Sequence, residues 1–205
     1  MPKSEKVDLF KLHKDEYAAT KKPALVDIKK AVYLSVEGQG APGGPVFSAK
    51  IQALYSIAYT VMMTRKFGGK QDYGVCKLEC VWLMEGKESF DKTAPERWRW
   101  RLMIRTPEFV KPAEIAKAAA VLLEKGKPAD VKDVKLEPFP EGLCVQMLHV
   151  GPYDKEPETV HAMQAFAESK GLTLHGLHHE IYISDPRRIP PERLKTILRH
   201  PVKRG

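Results

Sequence analysis

The sequence predicts an α+β fold in which an antiparallel sheet carries its helices on one face. Three observations support this class: short β-rich runs alternate with amphipathic helical runs, turn signals join neighbouring strands, and the order strand, turn, helix, strand, helix occurs twice. We therefore expect two related modules, residues 26–125 and 135–205, within a single domain spanning 1–205. A pseudo-two-fold duplication of this kind places a ligand cleft at the seam between the modules.

The first module follows a polar segment, residues 1–22, that we expect to be a loose lead-in, although its cluster of Leu9, Phe10 and Leu12 indicates that part of it docks. Residues 31–36 are a β-rich run that ends in a loop rich in Gly and Pro. Apolar residues at steps of three and four over residues 46–66 predict an amphipathic helix. Residues 73–84 alternate as a strand, and residues 112–125 begin with Pro and end before Gly, which predicts a second helix.

A further strand at residues 98–104 precedes that second helix. The second module then begins with a strand at 142–150 and a helix at 156–170. A strand at 178–184 follows, and the run 191–199, which comes directly after a proline, predicts a last helix. No long linker separates the modules, so they are expected to pack as one unit.

The composition limits the classes of function. With 205 residues, of which 43% are apolar, the chain is large enough to bury a core. No apolar run reaches the roughly 18 residues of a membrane span, and the first six residues lack the apolar centre of a signal peptide. We therefore expect a cytoplasmic protein without a membrane partner.

Charge and cysteine content argue against a nucleic-acid-binding protein and against a protein held together by disulfides or zinc. The formal net charge of +8 is concentrated towards the two ends of the chain and accompanies no nucleic-acid-binding motif. We therefore do not expect a nucleic-acid partner. Cys76, Cys80 and Cys144 fit neither a disulfide framework nor a paired zinc motif, and we expect them to be small buried side chains in a reducing compartment.

One acid, Glu180, lies in the middle of the apolar strand predicted at its position. An ionised carboxylate in such a place costs several kcal/mol unless a partner compensates for the lost water. Alternation puts Glu180 on one face of the strand with His178 and Tyr182. Ile181 and Ile183 take the other face, which we expect to pack against the helices. Glu180 then faces either solvent or a cleft, and both alternatives remain open from the pattern alone.

Four runs of the chain resemble, in order, the stand-alone GyrI-like small-molecule-binding proteins. These runs are Leu54–Tyr59, Leu78–Trp82, Glu141–Tyr153 and His178–Pro186, and the likeness extends over residues 26–201. The resemblance implies a tandem of two modules around a central aromatic pocket that holds a glutamate, which corresponds here to Glu180. Relatives include drug-binding effector domains of transcription regulators and hydrolases of cyclopropanoid cyclohexadienones. No helix-turn-helix segment precedes the matched region, so a complete transcription regulator is not expected.

The resemblance and the aromatic residues that flank Glu180 together give a set of expected site residues. Glu180 is the expected catalytic residue that activates water, and Tyr55 is expected to donate a hydrogen bond to a substrate oxygen that gains negative charge. A tyrosine bonded only to backbone is the alternative for Tyr55. The expected ligand-binding residues are Trp82, Trp98, Trp100, Tyr182, Tyr153, His149, Met147 and Glu79. Because aromatic side chains most often belong to the core, we expect two or three of them to line the pocket.

Cys80 and Leu83 depart from the family pattern, in which glycine and a second tryptophan are expected, and this changes the shape of the pocket. No metal or cofactor is expected. His178 and His179 lie beside Glu180, but neighbouring strand residues point to opposite faces and cannot both bind one ion. No nucleophile elbow or cysteine signature favours covalent catalysis.

The lone acid among aromatic residues, together with the resemblance, therefore predicts a protein that binds bulky aromatic molecules. The resemblance further implies that it hydrolyses cyclopropanoid genotoxins by activating water, a role in detoxification and antibiotic resistance. The alternative is a non-catalytic protein that sequesters drugs or regulates a protein partner.

Overall fold

The computed structural model describes residues 5–83 and 94–205. Its strands are β1 (Ala24–Ile28), β2 (Ala31–Gln39), β3 (Leu78–Trp82), β4 (Arg99–Thr106), β5 (Lys135–Phe139), β6 (Gly142–Val150), β7 (Leu172–Leu174), β8 (His179–Tyr182) and β9 (Lys195–Arg204). Its helices are α1 (Leu9–Leu12), α2 (Lys14–Tyr17), α3 (Pro45–Phe67), α4 (Pro112–Glu124) and α5 (Glu156–Ser169). None of these described helices is both long and apolar enough to cross a membrane.

The strands form one antiparallel sheet in the order β1-β6-β9-β8-β3-β4-β2-β5, and β7 pairs with β9. Strands β3 and β8 meet near the middle of the sheet, where Cys80 lies opposite Glu180. The α+β class with an antiparallel sheet is thus confirmed. The duplication of the two modules stays a prediction.

Alternation divides the sheet into two faces. The helix face carries Cys80, Glu180 and Leu198, which lie side by side on β3, β8 and β9, and helices α3, α4 and α5 cover this face. The opposite face carries Ile181 and Ile197. Helices α3, α4 and α5 thus share one face of the sheet, as predicted. It is the face that carries Glu180.

Helix α3 is the largest element on the helix face. It begins with Pro45 at its first position and ends before Gly68, as proline and glycine favour at the two ends of a helix. Leu54 and Ile57 on its buried side pack against Trp100 and other residues of the sheet in the main hydrophobic cluster. This packing fixes the orientation of α3 over β2, β3 and β4.

The chain end differs from the prediction. The helix predicted at 191–199 is wrong, because the two prolines before it lead into a single 3-10 turn, Pro191–Arg193, and the chain then extends as β9. Ile197 and Leu198 are buried where β9 pairs with both β6 and β8. Pairing on both sides satisfies the backbone of this apolar run, and a short pattern of four or five residues does not distinguish that from a helix.

Four strands also differ from the prediction. The strand predicted at 73–84 is shorter in the structure and comprises Leu78–Trp82, while Met84 lies outside the described residues. Strands β1, β5 and β7 were not predicted; β1 and β5 pair at the two ends of the sheet, and β7 pairs with β9. Edge strands carry fewer buried residues, so their apolar alternation is weak.

The N-terminal segment, described from residue 5, is not a loose lead-in. It forms α1 and α2 and packs on the opposite face of the sheet, where Tyr17 and Phe10 contact Ile181 and Ile183. The prediction that the isoleucines pack against the long helices is therefore wrong, because those helices cover the other face of the sheet. The three cysteines are free and buried, as predicted.

Candidate functional site

A cavity of about 2050 Å³ opens between the helix face of the sheet, α3 and the start of α5. Its aromatic lining includes Phe47, Tyr55, Trp82, Trp98, Tyr153 and Tyr182. Two carboxyl groups, Glu180 and Glu156, lie among these rings together with His178. A large, mostly apolar cavity with a few convergent polar groups is typical of a small-molecule site.

Both carboxylate oxygens of Glu180 accept hydrogen bonds from side chains of the cavity. Its Oε1 accepts a hydrogen bond from Trp82 Nε1 at 2.6 Å, and its Oε2 accepts one from the Tyr182 hydroxyl at 2.8 Å. His178 Nε2 lies 3.5 Å from the same Oε1. The acid that lacked a partner in the sequence is thus held by three side chains from β3, β8 and the residue before β8.

These contacts determine the ionisation of Glu180. Burial alone raises the pKa of a carboxyl group, because it disfavours the charged form. Here the interactions with His178, Tyr182 and Trp82 oppose burial and hold the pKa of Glu180 below its ordinary value. The cavity therefore contains a carboxylate that is ionised at neutral pH.

The aromatic rings around Glu180 are arranged edge to face. The rings of Trp82 and Trp98 are 5.5 Å apart at an interplanar angle of 87°, and those of Tyr153 and Tyr182 are 6.1 Å apart at 85°. Such pairs hold each other at fixed angles. The cavity thus offers aromatic surface beside the negative charge of Glu180.

Tyr55 extends from α3 into the cavity, where its ring stacks on Tyr59 at 6.0 Å. Burial raises the pKa of the Tyr55 hydroxyl, which also bonds to the backbone of Leu78. The hydroxyl is therefore protonated at neutral pH and can donate a hydrogen bond. The bond to the Leu78 backbone agrees with the alternative that Tyr55 is a buried tyrosine with a backbone partner.

Four predicted ligand-binding residues do not line the cavity. Trp100 is fully buried beneath α3, where its Nε1 donates to the Gly40 carbonyl oxygen at 2.9 Å. Glu79 is buried on the opposite face, because it neighbours Cys80 on the strand and alternation turns it away. Met147 packs against the cluster beneath α5.

His149, the fourth of them, is a structural residue of the turn before α5. Its Nδ1 lies 2.9 Å from Thr159 Oγ1, and its Nε2 lies 3.1 Å from the Pro152 carbonyl oxygen. Both contacts bridge β6 to the residues that follow it. His149 therefore supports the turn that carries Tyr153 and Glu156 without reaching the cavity itself.

Glu156, the first residue of α5, was not predicted as a site residue. Only 7% of its surface is exposed, and it lines the same cavity as Glu180. Burial and the negative charge of Glu180 raise the pKa of Glu156 to about 10. Acids are common in the first turn of a helix because the helix dipole favours them there, so nothing in the sequence distinguished this one.

A second set of ionised groups lies on the opposite face. His179 Nδ1 is 2.9 Å from Glu141 Oε1, His179 Nε2 is 3.0 Å from Glu79 Oε2, and Arg199 Nη1 is 2.8 Å from Glu141 Oε2. All four side chains are buried. Neighbouring His178 and His179 thus point to opposite faces, and this second set lies apart from the cavity.

Comparisons with known proteins agree with this geometry. In a solved structure of an uncharacterized conserved protein from Listeria innocua, 40% of the aligned residues are identical, the TM-score is 0.90, and the match covers 97% of this chain and 100% of that one. A hydrolase encoded by lin2189 from Listeria innocua is 39% identical with a TM-score of 0.89, over the same shares of both chains.

More distant comparisons show the fold alone. The C-terminal domain of EcmrR is 18% identical, with a TM-score of 0.57 over 90% of this chain and 98% of that one. The search of curated proteins found no match.

A family model described as the GyrI-like small molecule binding domain matches residues 22–203, which confirms the resemblance carried by the four sequence runs. The chain therefore belongs to the GyrI-like small-molecule-binding family.

Proposed function

We propose that the protein binds a bulky aromatic molecule in the cavity and hydrolyses an electrophilic cyclopropane in it, with Glu180 activating the attacking water. The observation that carries the proposal is the ionised Glu180 carboxylate among the aromatic rings of an open cavity. The hydrolases from Listeria innocua that are 39% and 37% identical to this chain support the reaction class. The proposed substrate class is the cyclopropanoid cyclohexadienones.

The chemistry would use groups already in the cavity. Glu180 accepts a proton from water while the water oxygen bonds to the ring methylene carbon. The strained carbon–carbon bond breaks, and its electron pair moves into the dienone, which becomes a phenolate. Tyr55, protonated and lining the cavity, donates a hydrogen bond to that oxygen as its negative charge develops. A proton from solvent then completes the phenol.

A second candidate function is non-catalytic binding, by which the protein sequesters a drug or responds to it. One observation favours this candidate: both carboxylate oxygens of Glu180 already accept hydrogen bonds, and the pKa of Glu180 is lowered. A less basic carboxylate accepts a proton from water less readily. Binding in the aromatic cavity does not require that step.

The test is to incubate the purified protein with a cyclopropanoid cyclohexadienone and follow ring opening by the change in absorbance. We expect the wild-type protein to accelerate hydrolysis and Glu180→Gln to lower the rate by at least about a hundredfold, the usual contribution of general base catalysis. Tyr55→Phe is expected to lower the rate by about a hundredfold, in keeping with the loss of one oxyanion donor.

Tyr59→Phe is the matched control, because Tyr59 stacks on Tyr55 and is 52% exposed. We expect that variant to keep the wild-type rate. Tryptophan fluorescence quenching by the same compound without any turnover would support the non-catalytic candidate. A Glu180→Gln variant with full activity would refute the mechanism.

A further inference from the structure

Two buried carboxyl groups in contact cannot both be ionised near neutral pH, since like charges at that separation oppose each other strongly. Glu156 and Glu180 come from different elements, α5 and β8, and both buried side chains line the same cavity, where the negative charge of Glu180 disfavours ionisation of Glu156. A proton kept on one of the two carboxyl groups removes this repulsion. The pair therefore carries a single negative charge and one proton.

The surroundings decide which group holds the proton. Glu180 accepts hydrogen bonds from Trp82 and Tyr182 and lies near His178, and all three contacts favour its ionised form. Oε1 of Glu156 is buried without a hydrogen-bond partner, and no Lys, Arg or His of the described residues forms an ion pair with Glu156. The proton therefore belongs to Glu156, even though the start of α5 favours a negative charge.

We propose that Glu156 is a proton-exchanging ligand-binding residue: it keeps its proton when the cavity holds a neutral molecule and releases it to solvent when an aromatic cation binds. This inference rests on the proposed binding of aromatic molecules in the cavity. A cation placed among the rings and beside the pair supplies the opposite charge that Glu156 lacks. The same cavity could thereby bind neutral aromatic molecules with Glu156 protonated and aromatic cations with Glu156 ionised.

The other titratable groups facing Glu156 do not exchange protons in the same range. Cys80 on β3, Tyr182 on β8 and Tyr153 before α5 have pKa values raised by burial, that of Tyr153 to about 12. Thr196 on β9 interacts with Glu156 but does not ionise. Glu180 is already ionised.

The histidines that line the cavity are His161, His178 and His200. Burial lowers the pKa of His200 to about 4. Measurements from about pH 8 to 9.5 lie below the range of the buried Cys80, Tyr153 and Tyr182. His179, whose pKa Glu141 and Glu79 raise to about 9, lies on the opposite face of the sheet and not in the cavity.

The experiment uses two probes of the same three-ring shape, 10-methylacridinium, which is a permanent cation, and acridine, which is uncharged in this range. Calorimetric titrations at about pH 8 in two buffers of different ionisation enthalpy give the number of protons released per ligand bound. We expect close to one proton for the cation and none for acridine. The dissociation constant of the cation should fall about tenfold per pH unit up to about pH 9.5, and that of acridine should not change.

Glu156→Gln keeps the neutral shape of the protonated side chain and cannot lose a proton. We expect this variant to bind both probes, to release no proton, and to show no change in cation affinity over the same pH range. Equal proton release with both probes, no release with the cation, or release that persists in Glu156→Gln would each overturn the inference.

The two proposals can fail separately. If neither probe binds to the wild-type protein, the proposed binding of aromatic molecules fails, and this inference fails with it. If both probes bind without a difference in proton release, only the role of Glu156 is refuted. Should Glu156→Gln not fold, the comparison of the two probes on the wild-type protein still decides the outcome.

Discussion

At the residue scale, the behaviour of Glu180 depends on its donors. Trp82→Phe keeps an aromatic ring in the cavity and removes the Nε1 donor that lies 2.6 Å from Glu180 Oε1. We expect the pKa of Glu180 to rise and the free energy of unfolding at neutral pH to fall by roughly 1.5–3 kcal/mol, the usual value of a hydrogen bond to a charged group. Side-chain carboxyl NMR and denaturant titration measure both quantities.

Tyr153→Phe is the matched control for that substitution. It removes a hydroxyl from the same cavity, and among the described hydrogen bonds none joins Tyr153 to Glu180. Its effect on the pKa of Glu180 should be small. Equal effects of the two substitutions would mean that Trp82 does not control the ionisation of Glu180.

A second residue-scale prediction concerns Gly38 on β2, which lies directly against the indole of Trp100. A Cβ at Gly38 would be 2.2 Å from Trp100 Cη2, and Trp100 is fully buried and cannot move aside. We expect Gly38→Ala to lower the free energy of unfolding by at least about 1–3 kcal/mol through overpacking. Thermal unfolding measures the loss.

Gly74→Ala is its control, because a Cβ at Gly74 meets nothing closer than Lys6 Cε at 3.7 Å. That substitution should change stability little. If Gly38→Ala were as stable as Gly74→Ala, the close contact with Trp100 would not constrain the strand.

At the scale of elements, the short helices of the N-terminal segment are attached to the sheet by buried polar contacts. The Tyr17 hydroxyl donates to Glu79 Oε1 at 2.8 Å, and Arg105 Nη1 lies 2.7 Å from Glu16 Oε2. Helices of four residues are not stable alone. The segment therefore depends on these contacts and on the packing of Tyr17 against the opposite face.

Tyr17→Phe tests this attachment. It keeps the ring stacked on Phe10, with centroids 4.9 Å apart, and removes only the hydrogen bond to Glu79. We expect a loss of roughly 1–3 kcal/mol in the free energy of unfolding, because a buried carboxylate loses a donor. Faster amide hydrogen exchange in α1 and α2 should accompany that loss. Tyr59→Phe, on an exposed ring, should leave both measurements unchanged.

At the scale of the whole molecule, stability should fall as the pH rises above about 6.5. Glu141 and Glu79 raise the pKa of buried His179 from 6.5 to about 9, so its contribution is complete below pH 6.5 and is lost as the pH approaches 9. Glu156, with a pKa of about 10 against 4.5, also binds more protons in the folded state throughout this range. Each group contributes a slope of up to about 1.4 kcal/mol per pH unit.

Denaturant titrations from about pH 6.5 to 9 would measure this slope, and Glu156→Gln separates the two groups. The variant removes the contribution of Glu156 and leaves that of His179, so we expect the slope to be about half that of the wild-type protein. The pKa of Glu141 is held at about 2 by His179 and Arg199, so Glu141 contributes no slope in this range. A pH-independent free energy of unfolding would contradict the assignment of both groups.

The α+β class, helices α3, α4 and α5 to within a few residues, and the bounds of β6 could be predicted from the amino-acid sequence, because periods of two and 3.6 residues are local properties of the chain. The family came from the resemblance of four sequence runs and not from periodicity. The prediction that Glu180 shares a face with His178 and Tyr182 likewise follows from strand alternation, and all three line the cavity.

Which distant residues meet depends on the folded chain. Glu156 on α5 and Glu180 on β8 line one cavity, Tyr17 donates a hydrogen bond to Glu79, and the last segment becomes β9 because both β6 and β8 pair with it. None of these contacts leaves a periodic signal, since each joins residues far apart in the chain. The ionisation of the carboxyl pair follows from burial and from the placement of donors, and both exist only once the chain is folded.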